Sequence, residues 1–311
     1  MPREQSFVLF AGSSHPELAR QIADSLGVKL GNIAINTFPD SEIGIQILEN
    51  VRGRDVFVLQ SVAQRPNHYL MELLIIVDAL KRASARSITV VIPYYGYARQ
   101  DRRDKGRVPI TAKLVADLLE KAGATRGLTM DLHADQVEGF FDIPIDNLLA
   151  RPLLVEAVEK AGLKNYIVVA PDLGSIKLAR AFAGAVKADL AIVDKRRVSA
   201  ERVETEALIG KVENRNVLLV DDMVSTGTTL SIAARVCKKA GAKQVFAVAT
   251  HGLFVKSGLE ESAIEKIWVT NTVPHAKKDS KSRIEVVSVA PLFGKAIESI
   301  VEAKSISSLY S

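Results

Sequence analysis

Short, almost uninterrupted apolar runs alternate along this chain with segments in which apolar residues recur every three or four positions. Residues 7–10 and 167–170 are such runs, and neither shows the in–out alternation of a half-exposed strand. Continuous apolar strands are typical of parallel sheets that helices cover on both faces. The spacing of Leu18, Ile22 and Leu26 indicates an amphipathic helix after the first run. The pattern therefore predicts an α/β protein with parallel sheets.

The strand–helix pattern occurs twice along the chain, in the same order. The matched pairs are residues 7–10 with 167–170, 18–20 with 178–180, 54–59 with 215–220, and 87–92 with 244–249. Self-similarity of this length predicts two copies of one fold. We expect domains at 1–149 and 150–311, with Pro152 in the first turn of a helix that opens the second domain. A last helix, near residues 291–301, could pack on either copy.

Length and composition agree with two globular domains. At 311 residues and 48% hydrophobic content, the chain can bury two separate cores. Its longest apolar stretch, residues 71–80, contains Glu72 and Asp78 and is too short for a bilayer span. The N-terminal residues lack the apolar region and cleavage site of a secretion signal, so we expect a cytoplasmic protein. Cys237 is the only cysteine, which excludes an internal disulfide and predicts a packed thiol.

The net charge of the chain favours anionic ligands. It is +5 at pH 7, with a pI near 9.2, and such a balance would suit nucleic acid or small phosphorylated compounds. The densest basic segment, residues 277–283, has no aromatic residues that could stack on bases. A solvated loop is the simpler interpretation of that segment. We therefore expect small phosphorylated substrates, and neither nucleic acid nor membrane as a partner.

Residues 217–229 carry the most specific chemistry. An apolar strand ends in Asp221 and Asp222, a small polar loop follows, and residues 230–240 are predicted to be helical. Backbone N–H groups at a helix start suit a phosphate monoester, and two carboxylates suit the vicinal hydroxyls of a ribose. The alternative is an ordinary turn with a capped helix; no Walker A sequence occurs. The predicted loop residues are Ser225, Thr226, Gly227, Thr228 and Thr229.

This loop resembles the phosphoribosyl-diphosphate motif that phosphoribosyltransferases share with ribose-phosphate diphosphokinases. Other segments resemble the diphosphokinases in particular, and the resemblance covers essentially the whole chain. It implies a class I-like enzyme of that family, built from two tandem phosphoribosyltransferase-like domains. The additional segments are residues 38–42, 97–102, 130–142, 171–174 and 194–197.

The resemblance implies that the N-terminal domain binds ATP. Phe38 would stack on adenine, while Asp40 and Glu42 would accept hydrogen bonds from its amino group or from nearby donors. Arg99 would bind the triphosphate and Gln100 would help to orient the nucleotide. Taken alone, each segment is typical of a turn or a solvated charged surface.

Mg²⁺ is the cofactor that the resemblance implies, with His133 and Asp172 beside it. We expect His133 to follow a strand at 128–132 and Asp172 to follow the first strand of the second copy. Lys195 and Arg197 would stabilise charge on the transferring diphosphoryl group, in a predicted mobile loop at 195–202. A solvated basic loop and a capping histidine are the alternatives.

The implied reaction is in-line attack by the C1 hydroxyl of ribose 5-phosphate on the β-phosphorus of ATP. It yields 5-phosphoribosyl 1-diphosphate and AMP, without a covalent enzyme intermediate. Members of the resembled family are commonly hexamers, so we expect a homo-oligomer. Arg52, Ser84 and Arg107 resemble the effector positions at which phosphate activates and ADP inhibits.

Three positions depart from the family pattern. Ser225 replaces an acid of the phosphate loop, Thr228 replaces a glycine there, and Ser41 replaces a glycine near the adenine segment. Side chains at former glycine positions can restrict the backbone. A phosphoribosyltransferase and a non-catalytic regulatory homologue remain alternatives. The adenine and Arg-Gln-Asp segments argue against the first, and the presence of Lys195 argues against the second.

Overall fold

The computed structural model describes residues 7–197, 204–255, 259, 262–275 and 283–310. The chain forms two compact units. The N-terminal unit comprises Met1–Leu149, Thr272–Pro274 and Val289–Ser311, and the C-terminal unit comprises Ala150–Asn271 and His275–Ser288. Among the helices within these ranges, none is long and apolar enough to cross a membrane.

A five-stranded parallel sheet forms the centre of the N-terminal unit. Its strand order is β1-β4-β5-β6-β7, and β2 and β3 form a separate antiparallel pair. The elements are β1 (Phe7–Ala11), α1 (Pro16–Leu26), β2 (Ile33–Thr37), β3 (Ile43–Ile47), β4 (Asp55–Leu59), α2 (Pro66–Arg82), β5 (Ser87–Ile92), α3 (Thr111–Ala122), β6 (Arg126–Met130), a 3-10 helix (Asp135–Phe140) and β7 (Ile145–Leu148).

A seven-stranded sheet forms the centre of the C-terminal unit. Its order is β10-β9-β8-β11-β12-β13-β14, and all neighbours are parallel except the β9–β10 hairpin. The elements are α4 (Arg151–Lys160), β8 (Tyr166–Ala170), α5 (Ile176–Val186), β9 (Leu190–Arg197), β10 (Glu204–Ile209), β11 (Asn216–Val224), α6 (Thr228–Lys239), β12 (Val245–Gly252), β13 (Ile264–Thr270) and β14 (Ile284–Val287).

The two sheets repeat one plan. The order β8-β11-β12-β13-β14 reproduces β1-β4-β5-β6-β7, and an antiparallel hairpin, β9–β10 or β2–β3, follows the helix that comes after the first strand of each copy. Central strands such as Val56–Leu59 and Val217–Val220 are buried along their whole length. This burial on both faces accounts for the continuous apolar runs in the sequence. Parallel sheets flanked by helices, and hence the predicted α/β fold, are confirmed.

The last helix, α7 (Ala290–Val301), belongs to the N-terminal unit and packs against α1. Its residues Phe293 and Ile297 are fully buried. Gly294 permits the close approach, because a Cβ there would lie 2.3 Å from Ser25 Oγ. After it, Tyr310 accepts a hydrogen bond of 2.7 Å from the Leu149 backbone N–H. The chain thus returns to its first unit at the end.

Several predicted boundaries of strands and helices were wrong. β9 continues to Arg197, so residues 195–197 form strand instead of a loop, while residues 198–202 lie outside the described ranges. Charge does not prevent a strand at the edge of a sheet, where β10 supplies the backbone partners. β6 ends at Met130 instead of residue 132, because Asp131 has a φ of 39°, which is outside the β region.

Helix α6 begins at Thr228 and ends at Lys239, so the helix predicted at 230–240 starts two residues earlier and ends one residue earlier. The small polar residues before residue 230 concealed this start, since threonine is common in both caps and turns. Inside this helix, Cys237 is fully buried, and burial raises the pKa of its thiol to about 12. The prediction of a packed thiol is confirmed.

Candidate active site

The paired acids of the C-terminal unit lie inside a strand, at its carboxyl end. β11 continues through Val224, so Asp221 and Asp222 occupy two of its last four positions instead of following it. The Asp222 backbone N–H donates to Asp221 Oδ1 at 3.0 Å. Ligands of parallel α/β sheets bind at this edge. The acids are therefore on the side of the sheet where a ligand is expected.

Asp172 brings a third carboxyl group to the same edge. It follows β8, which pairs in parallel with β11. Asp172 Oδ1 accepts the Ser175 backbone N–H at 3.0 Å, and the Ser175 hydroxyl donates to the Asp172 backbone oxygen at 3.0 Å. These two bonds form a compact turn before α5. The turn holds the side chain of Asp172 close to the strand end.

The two neighbouring acids act electrostatically on Asp221. Burial raises the pKa of the Asp221 carboxyl well above its ordinary value, and the negative charges of Asp222 and Asp172 raise it further. Such a cluster is stabilised by any ligand that donates hydrogen bonds to it or brings a positive charge. Sugar hydroxyls and hard divalent cations both meet this requirement.

The loop between β11 and α6 has one position that needs glycine. Gly227 has a φ of 81°, and a Cβ there would lie 2.7 Å from Leu259 Cγ. Thr226 Oγ1 and Thr228 Oγ1 are 3.0 Å apart and share a hydrogen bond. The Ser225 backbone oxygen accepts from the Val255 N–H at 2.9 Å. The loop therefore presents hydroxyl groups at the beginning of a helix, next to the acids.

The departure from glycine at Thr228 causes no backbone strain. Thr228 is the first residue of α6, and its φ is not positive. Thr229 follows as the second residue of the helix. A helical position accepts a side chain, so glycine is not required at residue 228 for the loop to form. The glycine that the geometry does require is the neighbouring Gly227.

Lys195 and Arg197 occupy alternate positions near the end of β9. Their Cα partners in β10 are Glu206 and Glu204. The β9–β10 hairpin forms the edge of the seven-stranded sheet next to β8. The residues predicted to stabilise the transferring group therefore belong to a paired hairpin and not to an isolated loop.

In the N-terminal unit, the predicted adenine segment forms the turn of the β2–β3 hairpin. The Phe38 N–H donates to the Glu42 backbone oxygen at 2.8 Å, and Asp40 Oδ1 accepts the Glu42 N–H at 3.1 Å. The Phe38 ring is 53% exposed and lies against Gly44, where a Cβ would be 2.9 Å from the ring. Ser41 has a φ of 76°, a conformation that favours glycine. The hairpin thus presents an aromatic face to solvent.

Two further loops of this unit lie side by side, because they follow the neighbouring strands β5 and β6. Arg99 and Gln100 are exposed in the first, and His133 is exposed in the second. Gln100 Oε1 accepts a hydrogen bond of 2.6 Å from the Thr111 hydroxyl at the start of α3. The Gln136 amide donates to the Asp101 carboxylate and so joins the two loops. Arg99, Gln100 and His133 therefore belong to one edge of the sheet.

The structure brings two of the three possible effector residues together. The Gly53 N–H donates to the Ser84 backbone oxygen at 2.8 Å, which sets Ser84 beside the exposed Arg52. Ser84 has a φ of 65°. Arg107 lies exposed in the loop between β5 and α3, with a φ of 62°.

Within the described ranges, no group of three or more His, Cys, Asp or Glu side chains converges closely enough to hold a metal by itself. Mg²⁺ does not require such a group, because it keeps several waters and uses one or two carboxylates with substrate oxygens. The carboxyl groups of Asp172, Asp221 and Asp222 supply hard oxygen donors of this kind. The donor set therefore fits a substrate-linked Mg²⁺ better than a closed metal cage.

Several residues that support these segments were absent from the sequence-based prediction. Ser175 holds Asp172 in place, and the pattern Asp-x-x-Ser before a helix could have indicated this turn. Gly44 under Phe38 and the pair Asp101–Gln136 had no such signal. Contacts between distant parts of the chain leave no local pattern. Only the tertiary structure shows them.

Two copies of a parallel-sheet unit, one of which joins an acid-bearing strand to a hydroxyl-rich loop and a helix, define the class of two-domain phosphoribosyltransferase-like proteins. Comparisons with known proteins specify this class. Residues 7–123 match the family model described as the N-terminal domain of ribose phosphate pyrophosphokinase, and residues 197–311 match the phosphoribosyl synthetase-associated domain.

Whole-chain relatives carry the same name. The chain is 50% identical over 309 residues to the ribose-phosphate pyrophosphokinase of Wolinella succinogenes, covering 98% of this chain and 99% of that one. It is 48% identical over 308 residues to that of Clostridium perfringens, covering 97% of each. The crystal structure of phosphoribosylpyrophosphate synthetase from Mycobacterium smegmatis superposes with a TM-score of 0.90 at 40% identity, covering 96% of this chain and 99% of that one. The chain belongs to the ribose-phosphate pyrophosphokinase family and is an enzyme.

Proposed function

We propose that this enzyme transfers the β,γ-diphosphoryl group of ATP to the C1 hydroxyl of D-ribose 5-phosphate. The products are 5-phosphoribosyl 1-diphosphate and AMP, which serve nucleotide biosynthesis. The observation that carries the proposal is the succession of Asp221, Asp222 and the Gly227 loop at one strand end, with Asp172 beside it. Membership of the pyrophosphokinase family supports it over a phosphoribosyltransferase.

The sugar phosphate is held by the C-terminal unit. Its 5-phosphate accepts hydrogen bonds from the loop of Ser225, Thr226, Gly227, Thr228 and Thr229 and from the first N–H groups of α6. Its 2- and 3-hydroxyls donate to Asp221 and Asp222. Donation to these carboxylates favours their charged forms, which opposes the effect that raises the pKa of Asp221.

The N-terminal unit binds the donor nucleotide. Phe38, exposed at the hairpin turn, stacks on the adenine ring, and Asp40 and Glu42 accept hydrogen bonds from it or from nearby donors. Arg99 binds the triphosphate. Gln100 already uses its amide oxygen on Thr111, so the amide N–H₂ is the group it offers to the nucleotide.

The enzyme accelerates the reaction by positioning the two substrates and by neutralising charge on the transferring group. The protein keeps the C1 hydroxyl in line with the β-phosphorus, and Lys195 and Arg197 stabilise the negative charge that develops on the transferring group. His133 and Asp172 would be the residues that hold Mg²⁺, which would supply charge neutralisation at the phosphate oxygens. No side chain forms a covalent bond with the substrate.

We further propose that the enzyme is a cytoplasmic homo-oligomer, a hexamer as in the resembled family, with Arg52, Ser84 and Arg107 at effector positions. The hydrogen bond between Gly53 and Ser84 supports a shared site for the first two residues. Sedimentation equilibrium of the purified protein measures the assembly. A monomer at micromolar concentration would contradict this part of the proposal.

A stoichiometric assay tests the reaction. Purified protein with ATP, Mg²⁺ and ribose 5-phosphate should release one AMP for each phosphoribosyl diphosphate formed. Asp222→Asn should abolish product formation, whereas Asp189→Asn serves as the matched control because Asp189 pairs with Arg215 before β9, away from the proposed site. Formation of a nucleotide from phosphoribosyl diphosphate and an added base would instead indicate a phosphoribosyltransferase. If this protein shows no turnover but alters the activity of a separate catalytic subunit, it is a regulatory homologue.

A further inference from the structure

A buried carboxylate in the N-terminal unit takes no part in the proposed reaction. Glu72 lies on α2 and is 1% exposed. Its Oε1 accepts the Ser13 backbone N–H at 2.6 Å and the Gln60 amide at 2.8 Å, and its Oε2 accepts the Ser13 hydroxyl at 2.6 Å. His68 Nε2 lies 3.7 Å from Oε2. Three donors therefore converge on one carboxylate, as they would on a bound anion.

Bonds that do not involve Glu72 hold Gln60 and the residue after Ser13 in position. The fully buried Gln60 donates to the Tyr69 backbone oxygen at 3.1 Å and accepts the Ser14 N–H at 3.2 Å. Ser14 Oγ accepts the Ser61 N–H at 2.8 Å, which connects the loop after β1 to the loop after β4. The Gln60 amide and the backbone next to Ser13 should therefore keep their places when the carboxylate is absent.

The position of this cluster corresponds to the ligand edge of the other unit. β1 and β4 of the N-terminal unit correspond to β8 and β11 of the C-terminal unit. In α6 the seventh residue is the buried Ala234, whereas in α2 the seventh residue is Glu72. At the seventh position of this helix, the N-terminal copy thus has a carboxylate and the C-terminal copy has a methyl group.

Gly12 shows that the carboxylate fills the available space. A Cβ at Gly12 would lie 2.3 Å from Gln60 Oε1 and 2.8 Å from Glu72 Oε1. The internal repeat aligns Gly12 with Asp172 of the C-terminal unit. The C-terminal copy therefore carries its acid, Asp172, in the loop after its first strand. The N-terminal copy carries its acid, Glu72, on helix α2 and needs Gly12 in the corresponding loop.

We propose that Ser13 and Gln60 form a carboxylate-binding cradle at the carboxyl ends of β1 and β4, and that Glu72 is its permanent, built-in occupant. The cradle corresponds to the ligand edge of the C-terminal unit, closed by a side chain of its own helix. Its ligand class is a small carboxylate such as formate or acetate. The proposal does not depend on the reaction assigned to the enzyme.

Chemical rescue tests the cradle. Glu72→Ala removes the occupant and leaves the three donors unpaired, which should lower the Tm by roughly 10 °C in sodium chloride. Sodium formate at about 0.1 M and equal ionic strength should raise the Tm of this variant saturably, by about 3 °C or more, because a ligand that binds only the folded state stabilises it. The wild type should respond no differently to formate than to chloride.

Leu73→Ala is the matched control. Leu73 is the next residue of α2 and is fully buried, so its truncation creates a cavity without the donors of the cradle. Formate should not stabilise it. Glu72→Gln, which fills the cradle with an amide, should be more stable than Glu72→Ala and should not respond either. If Glu72→Ala does not fold in chloride, the refolded yield in formate against chloride is the readout.

Two results would overturn the proposal. One is an equal response of Glu72→Ala and Leu73→Ala to formate, which would indicate a general salt effect. The other is a Glu72→Ala variant as stable as the wild type in chloride, which would show that the donors do not need an anion. Because melting and refolding require no substrate, either result leaves the assigned reaction untouched.

Discussion

A buried acid of the candidate site lowers the stability of the folded protein. Asp221 is the clearest case, because burial and the neighbouring Asp222 and Asp172 raise the pKa of its carboxyl. A carboxyl whose pKa is higher in the folded protein than in the unfolded chain stabilises the fold at low pH and loses that contribution as the pH rises through the folded value. Above the unfolded value the raised pKa therefore opposes folding, and a ligand that stabilises the charged carboxylate offsets this effect.

Replacing Asp221 with asparagine should separate stability from binding. Asp221→Asn should be more stable than the wild type at pH 8 by roughly 1 kcal/mol, since the repulsion is removed, and the gain should shrink toward pH 4. Ribose 5-phosphate binding, measured by calorimetry, should be lost. Urea unfolding at both pH values measures the stability. A variant that is less stable at pH 8, or that still binds the sugar, would contradict this account.

His275 should make the unfolding free energy of the protein depend on pH in the mildly acidic range. Burial lowers the pKa of its imidazole below the ordinary 6.5, although the hydrogen bond to the Thr270 backbone oxygen opposes this. The group stabilises the fold above pH 6.5, and this contribution is lost as the pH falls toward the depressed folded value. The His275→Asn variant should show a shallower loss of unfolding free energy between pH 7 and 5, the difference being at most about 1.4 kcal/mol per pH unit. Equal slopes in urea titrations of both proteins would refute the prediction.

At the scale of residues, the sequence identified chemistry better than geometry. Asp221, Asp222 and the glycine of the loop could be recognised because their order along the chain is itself the motif. The conformations at Thr228 and Ser41 could not be recognised, although both replace a glycine of the family pattern. Thr228 is helical and unstrained, whereas Ser41 has a φ of 76°. Backbone angles depend on where a turn closes, and the residue names alone do not determine that.

At the scale of elements, the β2–β3 and β9–β10 hairpins occupy the same place in the repeat but have different proposed functions. The β2–β3 hairpin carries Phe38 at its turn, and the β9–β10 hairpin carries Lys195 and Arg197 in its first strand. The hairpin of one copy thus contains an aromatic residue at its turn, and the hairpin of the other contains basic residues in its first strand. In the proposed reaction, the first hairpin binds the base and the second acts on the phosphates.

The Lys195→Ala variant tests whether the β9–β10 hairpin stabilises charge during the transfer. If Lys195 stabilises charge that develops only during transfer, kcat should fall by about 100- to 1000-fold with little change in KM. The exposed Lys211, just after β10, provides the control, and Lys211→Ala should retain full activity. Steady-state kinetics with ATP and ribose 5-phosphate give both constants. A higher KM with unchanged kcat would assign Lys195 to ground-state binding instead.

The boundaries of elements were predictable where they coincide with a change of hydrophobicity. Central strands such as β4 and β8 began and ended close to the apolar runs. The end of β9 was not predictable, because residues 195–197 are charged and their strand conformation depends on pairing with β10. Helix α6 likewise starts among polar residues that also suit a turn.

At the scale of the whole molecule, the chain crosses between its units more often than a simple tandem repeat would. After the C-terminal sheet, α7 returns to the N-terminal unit and covers α1. The apolar face of α7 could be read from the sequence, but its partner could not. The choice of partner depends on shape complementarity such as Gly294 against Ser25, which the order of residues does not reveal.

Truncating the core of α7 should destabilise the N-terminal unit in particular. Phe293→Ala removes a fully buried ring and should cost about 3 to 5 kcal/mol of unfolding free energy. Hydrogen exchange should then increase in α1, the helix that α7 covers, more than in α5 of the other unit. The exposed Lys295 gives the control variant Lys295→Ala, with no change in either helix. Equal loss of protection in α1 and α5 would contradict the assignment of α7.

The amino-acid sequence by itself determined the class of fold, the internal repeat, and the strand-loop-helix segment that carries the phosphate chemistry. These features are local or periodic, so the order of apolar, acidic and small residues is sufficient to specify them. The tertiary structure alone decided which carboxyls share a charge environment, which loops touch, and which unit the last helix covers. Those properties arise between residues far apart in the chain, where packing and electrostatics act through space.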